Sequence, residues 1–179
     1  MLISRSVIAA ATLLATLGLA PVMATAAEPT LMLRQPAVSK DHLAFVYAGD
    51  LWLADRNGGN ARRLTSHAAS EFAPRFSPDG QRIAFSASYD GNTDVYVMGL
   101  DGGQPKRLTW HPTPDIVSGW SPDGGRVLFA SPREVLNNRS NQLYEVSVDG
   151  GYERQVMKAV AYEGAWSPNG KRLAYRHYN

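Results

Sequence analysis

Three short runs of alternating apolar and polar residues recur along the chain in a fixed order. Arg82-Ile83-Ala84-Phe85, Arg126-Val127-Leu128-Phe129 and Arg172-Leu173-Ala174-Tyr175 form one set, and Leu43-Ala44-Phe45 fits the same slot one period earlier. A second set follows as Asp50-Leu51-Trp52-Leu53, Asp94-Val95-Tyr96-Val97 and Gln142-Leu143-Tyr144-Glu145. Each closes with a shorter segment, Arg63-Leu64-Thr65, Arg107-Leu108-Thr109 or the weaker Gln155-Val156-Met157. These β-branched and aromatic runs alternate at period two and are bounded by turn residues, so each unit predicts four short antiparallel strands.

The turns repeat with the strands. Phe76-Ser77-Pro78-Asp79-Gly80 returns as Trp120-Ser121-Pro122-Asp123-Gly124 and as Trp166-Ser167-Pro168-Asn169-Gly170, with the serines 44 and 46 residues apart. Serine at the first position, proline at the second and glycine at the fourth suit a type I turn between the first two strands. Asn57-Gly58-Gly59, Asp101-Gly102-Gly103 and Asp149-Gly150-Gly151 supply positive φ for the third-to-fourth connection. One such sheet cannot bury both its faces. Radial stacking of units of about 40–45 residues does, which predicts an all-β fold: a β-propeller of four-stranded antiparallel blades.

Blades are expected near residues 31–72, 73–116 and 117–163, with 164–179 beginning a fourth, so 28–179 reads as a partial propeller whose remaining blades lie beyond this sequence. Left unclosed, it would expose an apolar face and an unpaired edge. The second-to-third strand connections lengthen from blade to blade, and the polar stretch from Ser131 to Ser140 is the longest. Long loops on one face are where a propeller places its binding surface.

Before the first blade, Arg5 precedes the apolar run Val7 to Leu19, Pro21 and the small residues Ala24-Thr25-Ala26-Ala27. The run is short for a bilayer span, and the pattern is that of a signal peptide over residues 1–27, so no stable membrane insertion is expected after cleavage. The chain has no cysteine, which excludes disulfides and a lipid-modified N-terminal cysteine. A periplasmic or secreted location follows as the expectation. The remaining composition, 44% hydrophobic and 19% charged with a formal charge of +2, is ordinary for a globular domain and gives no support to a nucleic-acid partner.

Candidate chemistry is sparse. Ser77, Ser121 and Ser167 belong to a repeated turn, no Gly-x-Ser-x-Gly elbow occurs, and His42, His67, His111 and His177 are scattered outside any ligand pattern, so no catalytic, metal or cofactor residue is assigned. The Phe76, Trp120 and Trp166 slot, and the Trp52, Tyr96 and Tyr144 slot, read as packing between blades. Arg62-Arg63 and Lys106-Arg107 read as a solvated outer edge. Glu71, Asp115 and Glu163 stand before the innermost strands, where a carboxylate rim at the channel mouth could attract cationic groups such as peptide N-termini.

The Phe-Ser-Pro-Asp-Gly unit is shared by many propellers, TolB among them. Leu31-Met32-Leu33-Arg34-Gln35-Pro36, Leu43-Ala44-Phe45-Val46 and Gly49-Asp50-Leu51-Trp52 resemble the first blade of the tricorn proteases, as do Asn137-Asn138-Arg139 and Tyr162-Glu163-Gly164. That resemblance spans roughly residues 31 to 179. It implies the beginning of a six-bladed propeller, followed in the family by a seven-bladed one, a PDZ domain and a serine-protease core that trims peptides. The expected partners are peptides or unfolded protein segments, those other domains, and further copies of the chain. No catalytic residue of that core maps onto this sequence. The alternatives are a non-enzymatic TolB-like scaffold and a propeller preceding a prolyl-oligopeptidase or amidohydrolase domain.

Overall fold

A computed structural model of the chain describes residues 32–134 and 140–177. The signal segment and Asn137-Asn138-Arg139 lie outside those residues. Strands β1 (Arg34–Val38), β2 (His42–Tyr47), β3 (Asp50–Asp55) and β4 (Arg62–Arg63) pair in sequence order as one antiparallel sheet. The same order is repeated by β5 (Glu71–Phe76), β6 (Arg82–Ala87), β7 (Asp94–Gly99) and β8 (Lys106–Arg107), and by β9 (Ile116–Trp120), β10 (Arg126–Ser131), β11 (Gln142–Ser147) and β12 (Arg154–Met157). A two-stranded sheet of β13 (Glu163–Trp166) and β14 (Leu173–Arg176) follows. The architecture is all-β and propeller-like, with each sheet a meander.

The repeated turn is built as its residues require. Ser77 Oγ accepts from Arg82 N at 2.9 Å and donates to Asp79 Oδ1 at 2.5 Å, while Asp79 Oδ1 also accepts from Gln81 N at 3.0 Å. Ser121 and Asp123 repeat this arrangement, with Gly125 N donating at 2.9 Å, and Ser167 and Asn169 repeat it with an amide oxygen. Gly80, Gly124 and Gly170 close the three turns at φ of 70°, 69° and 68°, a region that disfavours a side chain.

These bonds favour the ionised form, and Ser77 and Ser121 hold the carboxyls of Asp79 and Asp123 below their ordinary value. The support they give is present above the unfolded value of 3.8 and is lost as pH falls through the lower folded value. In an NMR titration the Gln81 and Gly125 amides are therefore expected to move with midpoints below 3.8, whereas the Lys171 amide, held by Asn169, stays still. Midpoints at or above that value would show the serine bonds to be unimportant.

The sequence pattern predicts alternation, yet Ile83–Ala87 and Val127–Ser131 are buried at every position. Neighbouring sheets cover both faces of the two middle blades, so the outward-facing positions are small or apolar as well. Strand β14, with no sheet on its far side among the described residues, leaves Ala174, Tyr175 and Arg176 exposed. Two joints carry most of the core. Phe85, Ile83, Leu51, Leu53 and Met98 pack between the first two sheets, and Phe129, Val127, Val117, Val95 and Trp120 between the second and third.

The aromatic slots serve these joints unequally. Phe45 stacks on Trp52, Phe85 on Tyr96 and Phe129 on Tyr144, with ring centroids 6.4, 5.8 and 5.8 Å apart. Trp120 is buried and donates from Nε1 to Arg75 O of the preceding sheet at 3.0 Å. Phe76 and Trp166 in the same slot are only half-buried, a correction to the equal burial expected from the repeat. Trp166 lies on the last sheet and donates instead to Glu145 Oε1 at 2.6 Å.

Candidate functional site

The polar chemistry of the molecule is concentrated where one sheet hands over to the next. At the first joint Arg63 pairs with Asp50 at 2.8 Å, and Thr65 Oγ1 accepts from Leu51 N at 2.9 Å. Glu71 Oε2 accepts from Leu51 N at 2.9 Å and from the Thr65 hydroxyl, and its Oε1 accepts from Tyr89 Oη. One carboxylate thus ties β3, the β4–β5 connection and the β6–β7 loop together. The second joint repeats the framework: Arg107 pairs with Asp94 at 2.7 Å, and Thr109 Oγ1 accepts from Val95 N at 3.0 Å. The basic pairs are therefore not simply a solvated edge. Arg62 and Lys106 are exposed and donate to Leu100 O and Val148 O of the following sheets, while Arg63 and Arg107 close ion pairs on buried aspartates.

At the third joint amides take the positions of that arginine–aspartate pair. Gln155 Nε2 donates to Gln142 Oε1 at 2.8 Å, and Met157 stands where Thr65 and Thr109 stood. The backbone shows which residue enters the carboxylate slot. Glu71 N donates to Gly49 O and Asp115 N to Thr93 O, and the corresponding bond at the third joint is Ala161 N to Asn141 O, each at 2.8–2.9 Å. Ala161 is fully buried there.

Glu163 consequently lies elsewhere. It pairs in register with Arg176, as Phe72 pairs with Ser86 and Ile116 with Ala130. The structure brings Phe72, Ile116, Glu163 and Arg176 together with Gln35 around a cavity of about 420 Å³ between the inner strands. Glu163 is largely exposed and sits 3.6 Å from Arg176. Glu71 and Asp115 are buried, at 1% and 0% exposure, inside the joints beside this opening. Of the three carboxylates read from the sequence, one lines the cavity between the inner strands and two are buried in the joints beside it.

Asp115 differs from Glu71 in its partner. Arg133 Nη2 donates to Asp115 Oδ2 at 2.6 Å and Arg133 Nε to Ser131 Oγ at 3.1 Å, while the guanidinium lies 5.1 Å from the Phe129 ring centre and 5.0 Å from that of Tyr144. Burial raises the Asp115 carboxyl above its ordinary value, and the Arg133 bond and charge oppose that rise without cancelling it. Sequence reasoning did not single out Arg133, since a lone arginine after a strand carries no pattern.

A second cavity, about 490 Å³, opens at the outer side of the first joint. His67, Tyr89 and Tyr96 line it, with the Tyr89 ring centre 4.3 Å from that of His67 and 4.8 Å from that of Tyr96.

The likenesses to known proteins fall on both propeller families raised by the sequence. A tricorn protease homolog of Streptomyces coelicolor is 50% identical over 56 residues, which is 31% of this chain and 5% of that protein. Among solved structures, the tricorn protease superposes with a TM-score of 0.68 at 25% identity, over 78% of this chain and 14% of that one. TolB from Acinetobacter baumannii gives 0.65 at 29% identity, over 82% of this chain and 38% of that one. The chain thus spans a small part of the tricorn relatives it matches. The family described as the tricorn protease N-terminal beta propeller domain matches residues 30–179, and the chain belongs to that family.

Proposed function

We propose that this chain is the first-propeller portion of a tricorn-like serine peptidase exported to the periplasm or beyond, and that its inner face passes peptides to or from a catalytic core carried elsewhere in the full-length protein. The family match over residues 30–179 carries this reading. The chemistry of the inner cavity supports it: Glu163 can meet a cationic group, Arg176 a carboxylate, and Phe72 and Ile116 an apolar side chain, which are the contacts an extended peptide offers. Ser77, Ser121 and Ser167 are occupied in turns, so this reading assigns the nucleophile to none of them.

A TolB-like scaffold, with no activity of its own, is the second reading, and the 29% identity to Acinetobacter TolB favours it. The full-length protein is expected to label with a serine-reactive phosphonate and to cleave short peptides. Glu163→Gln should slow its handling of cationic peptides more than neutral ones, with a difference that shrinks as salt rises. A full-length protein that neither labels nor cleaves, but copurifies stoichiometrically with an envelope protein, would favour the scaffold.

A further inference from the structure

We propose that the cavity at the outer side of the first joint, walled by His67, Tyr89 and Tyr96 and edged by Asp90, is a binding site for a basic peptide side chain, guanidinium or ammonium. The proposal rests on the reading that peptides visit this propeller. It adds a site distinct from the inner face.

Three observations point to a cation. The first is charge. Asp90 is exposed at the cavity edge, and behind the lining Asp50 and Glu71 are buried in the first joint and Asp94 in the second, so four carboxylates stand against the two guanidiniums of Arg63 and Arg107. Arg107 is committed: its Nε donates to Thr109 O at 2.8 Å, Nη1 pairs with Asp90 at 2.8 Å and Nη2 with Asp94 at 2.7 Å. An anion would have to break two ion pairs to use it. A cation can reach Asp90 at the edge and is attracted by the buried carboxylates behind the wall.

The second is the wall. Tyr89 lies between His67 and Tyr96, and an aromatic lining beside carboxylates attracts organic cations through the ring quadrupole. His67 Nδ1 is taken by Ala69 N at 3.0 Å, which fixes the imidazole in the wall.

The third is an unsatisfied atom. Tyr96 is 3% exposed, and its hydroxyl is buried without a hydrogen-bond partner. An orphaned buried hydroxyl loses its hydration with nothing in return, and a donor from a ligand would complete it. Burial keeps this phenol protonated, with its oxygen free to accept from a ligand N–H. Among the described residues the other two buried orphans, Trp52 Nε1 and an Asp115 oxygen, do not line this cavity.

The test is calorimetric titration of the full-length protein with the blocked tripeptide acetyl-Gly-Arg-Gly-amide and its neutral isostere, in which citrulline replaces arginine. The arginine peptide is expected to bind roughly ten-fold more tightly, as a charge-assisted hydrogen bond with a cation–π contact would give. Asp90→Asn and Tyr96→Phe should each remove most of that preference. Tyr96→Phe should leave the melting temperature of the unliganded protein unchanged or raised, because the orphaned hydroxyl is gone. Equal affinity for the two peptides, or a preference for arginine that survives both substitutions, overturns the site while leaving the peptide reading intact if hydrolysis persists. Loss of binding in Tyr96→Phe that tracks a lower melting temperature overturns it too. Absence of both peptide binding and hydrolysis removes the site together with the function on which it rests.

Discussion

Replacing Trp120 by alanine is expected to destabilise the propeller by about 3–5 kcal/mol, the range found for deletion of a buried aromatic. The side chain is 7% exposed and packs with Val117, Val127 and Val95 between the second and third sheets. Its indole Nε1 caps Arg75 O, and the Arg82 guanidinium lies 5.3 Å from its ring centre. Truncation therefore opens a cavity, leaves a carbonyl of the neighbouring sheet without its donor and removes a cation–π contact. The half-buried Trp166, in the same slot one repeat later, should cost clearly less on the same substitution. Urea unfolding of the full-length protein, followed by hydrogen–deuterium exchange across β9 and β10, measures both. Equal losses at the two positions would mean that the joints on either side of the third sheet are energetically alike.

How far the sequence reached depended on the range of the interactions. The Ser-Pro-Asp-Gly turns were legible because every atom that shapes them lies within five residues, from Ser77 Oγ to Arg82 N. The sheet order followed, since these turns and the Gly-Gly turns recur at fixed places between consecutive strands. The slots of the aromatic residues were legible; their burial was not. Each ring packs towards the preceding sheet, yet only Trp120 is fully enclosed there, a difference set by contacts distant in sequence.

The carboxylates mark the same boundary. Glu71 and Asp115 precede their serines by equal distances, but β12 pairs with an irregular register between Leu143 and Tyr144, and β13 lacks the irregularity that β5 carries between Phe72 and Arg75. Ala161 stands the same six residues before its serine and fills the buried slot, while the straight register of β13 sets Glu163, two residues later, beside the inner cavity opposite Arg176. A bulge adds one residue to one strand and leaves no compositional trace. The pairing of Arg63 with Asp50 was hidden for a related reason: the paired residues lie on different strands, and each alone reads as surface charge.

Removing Arg133 is expected to have an effect of similar size to removing Trp120, by a different route. Arg133→Met keeps much of the volume against Phe129 and Tyr144 but leaves Asp115 fully buried beside no cation, a change that costs about 3–5 kcal/mol when one partner of a buried pair is lost. The loss should depend on pH. The Asp115 carboxyl already sits above its unfolded value of 3.8, and loss of the guanidinium raises it further. A group whose folded pKa is raised binds its proton more tightly in the folded state, so the penalty is absent below the unfolded value and grows as pH rises towards the folded one. Unfolding of Arg133→Met should accordingly approach that of the unaltered protein on acidification, and the gap should be widest at neutral pH. Adding Asp115→Asn to Arg133→Met should recover part of the stability at neutral pH, because the charge that had lost its partner is gone. A penalty that stays constant with pH and is unmoved by Asp115→Asn would show that Arg133 acts through its packing on the two rings, and that the second joint does not depend on an ion pair.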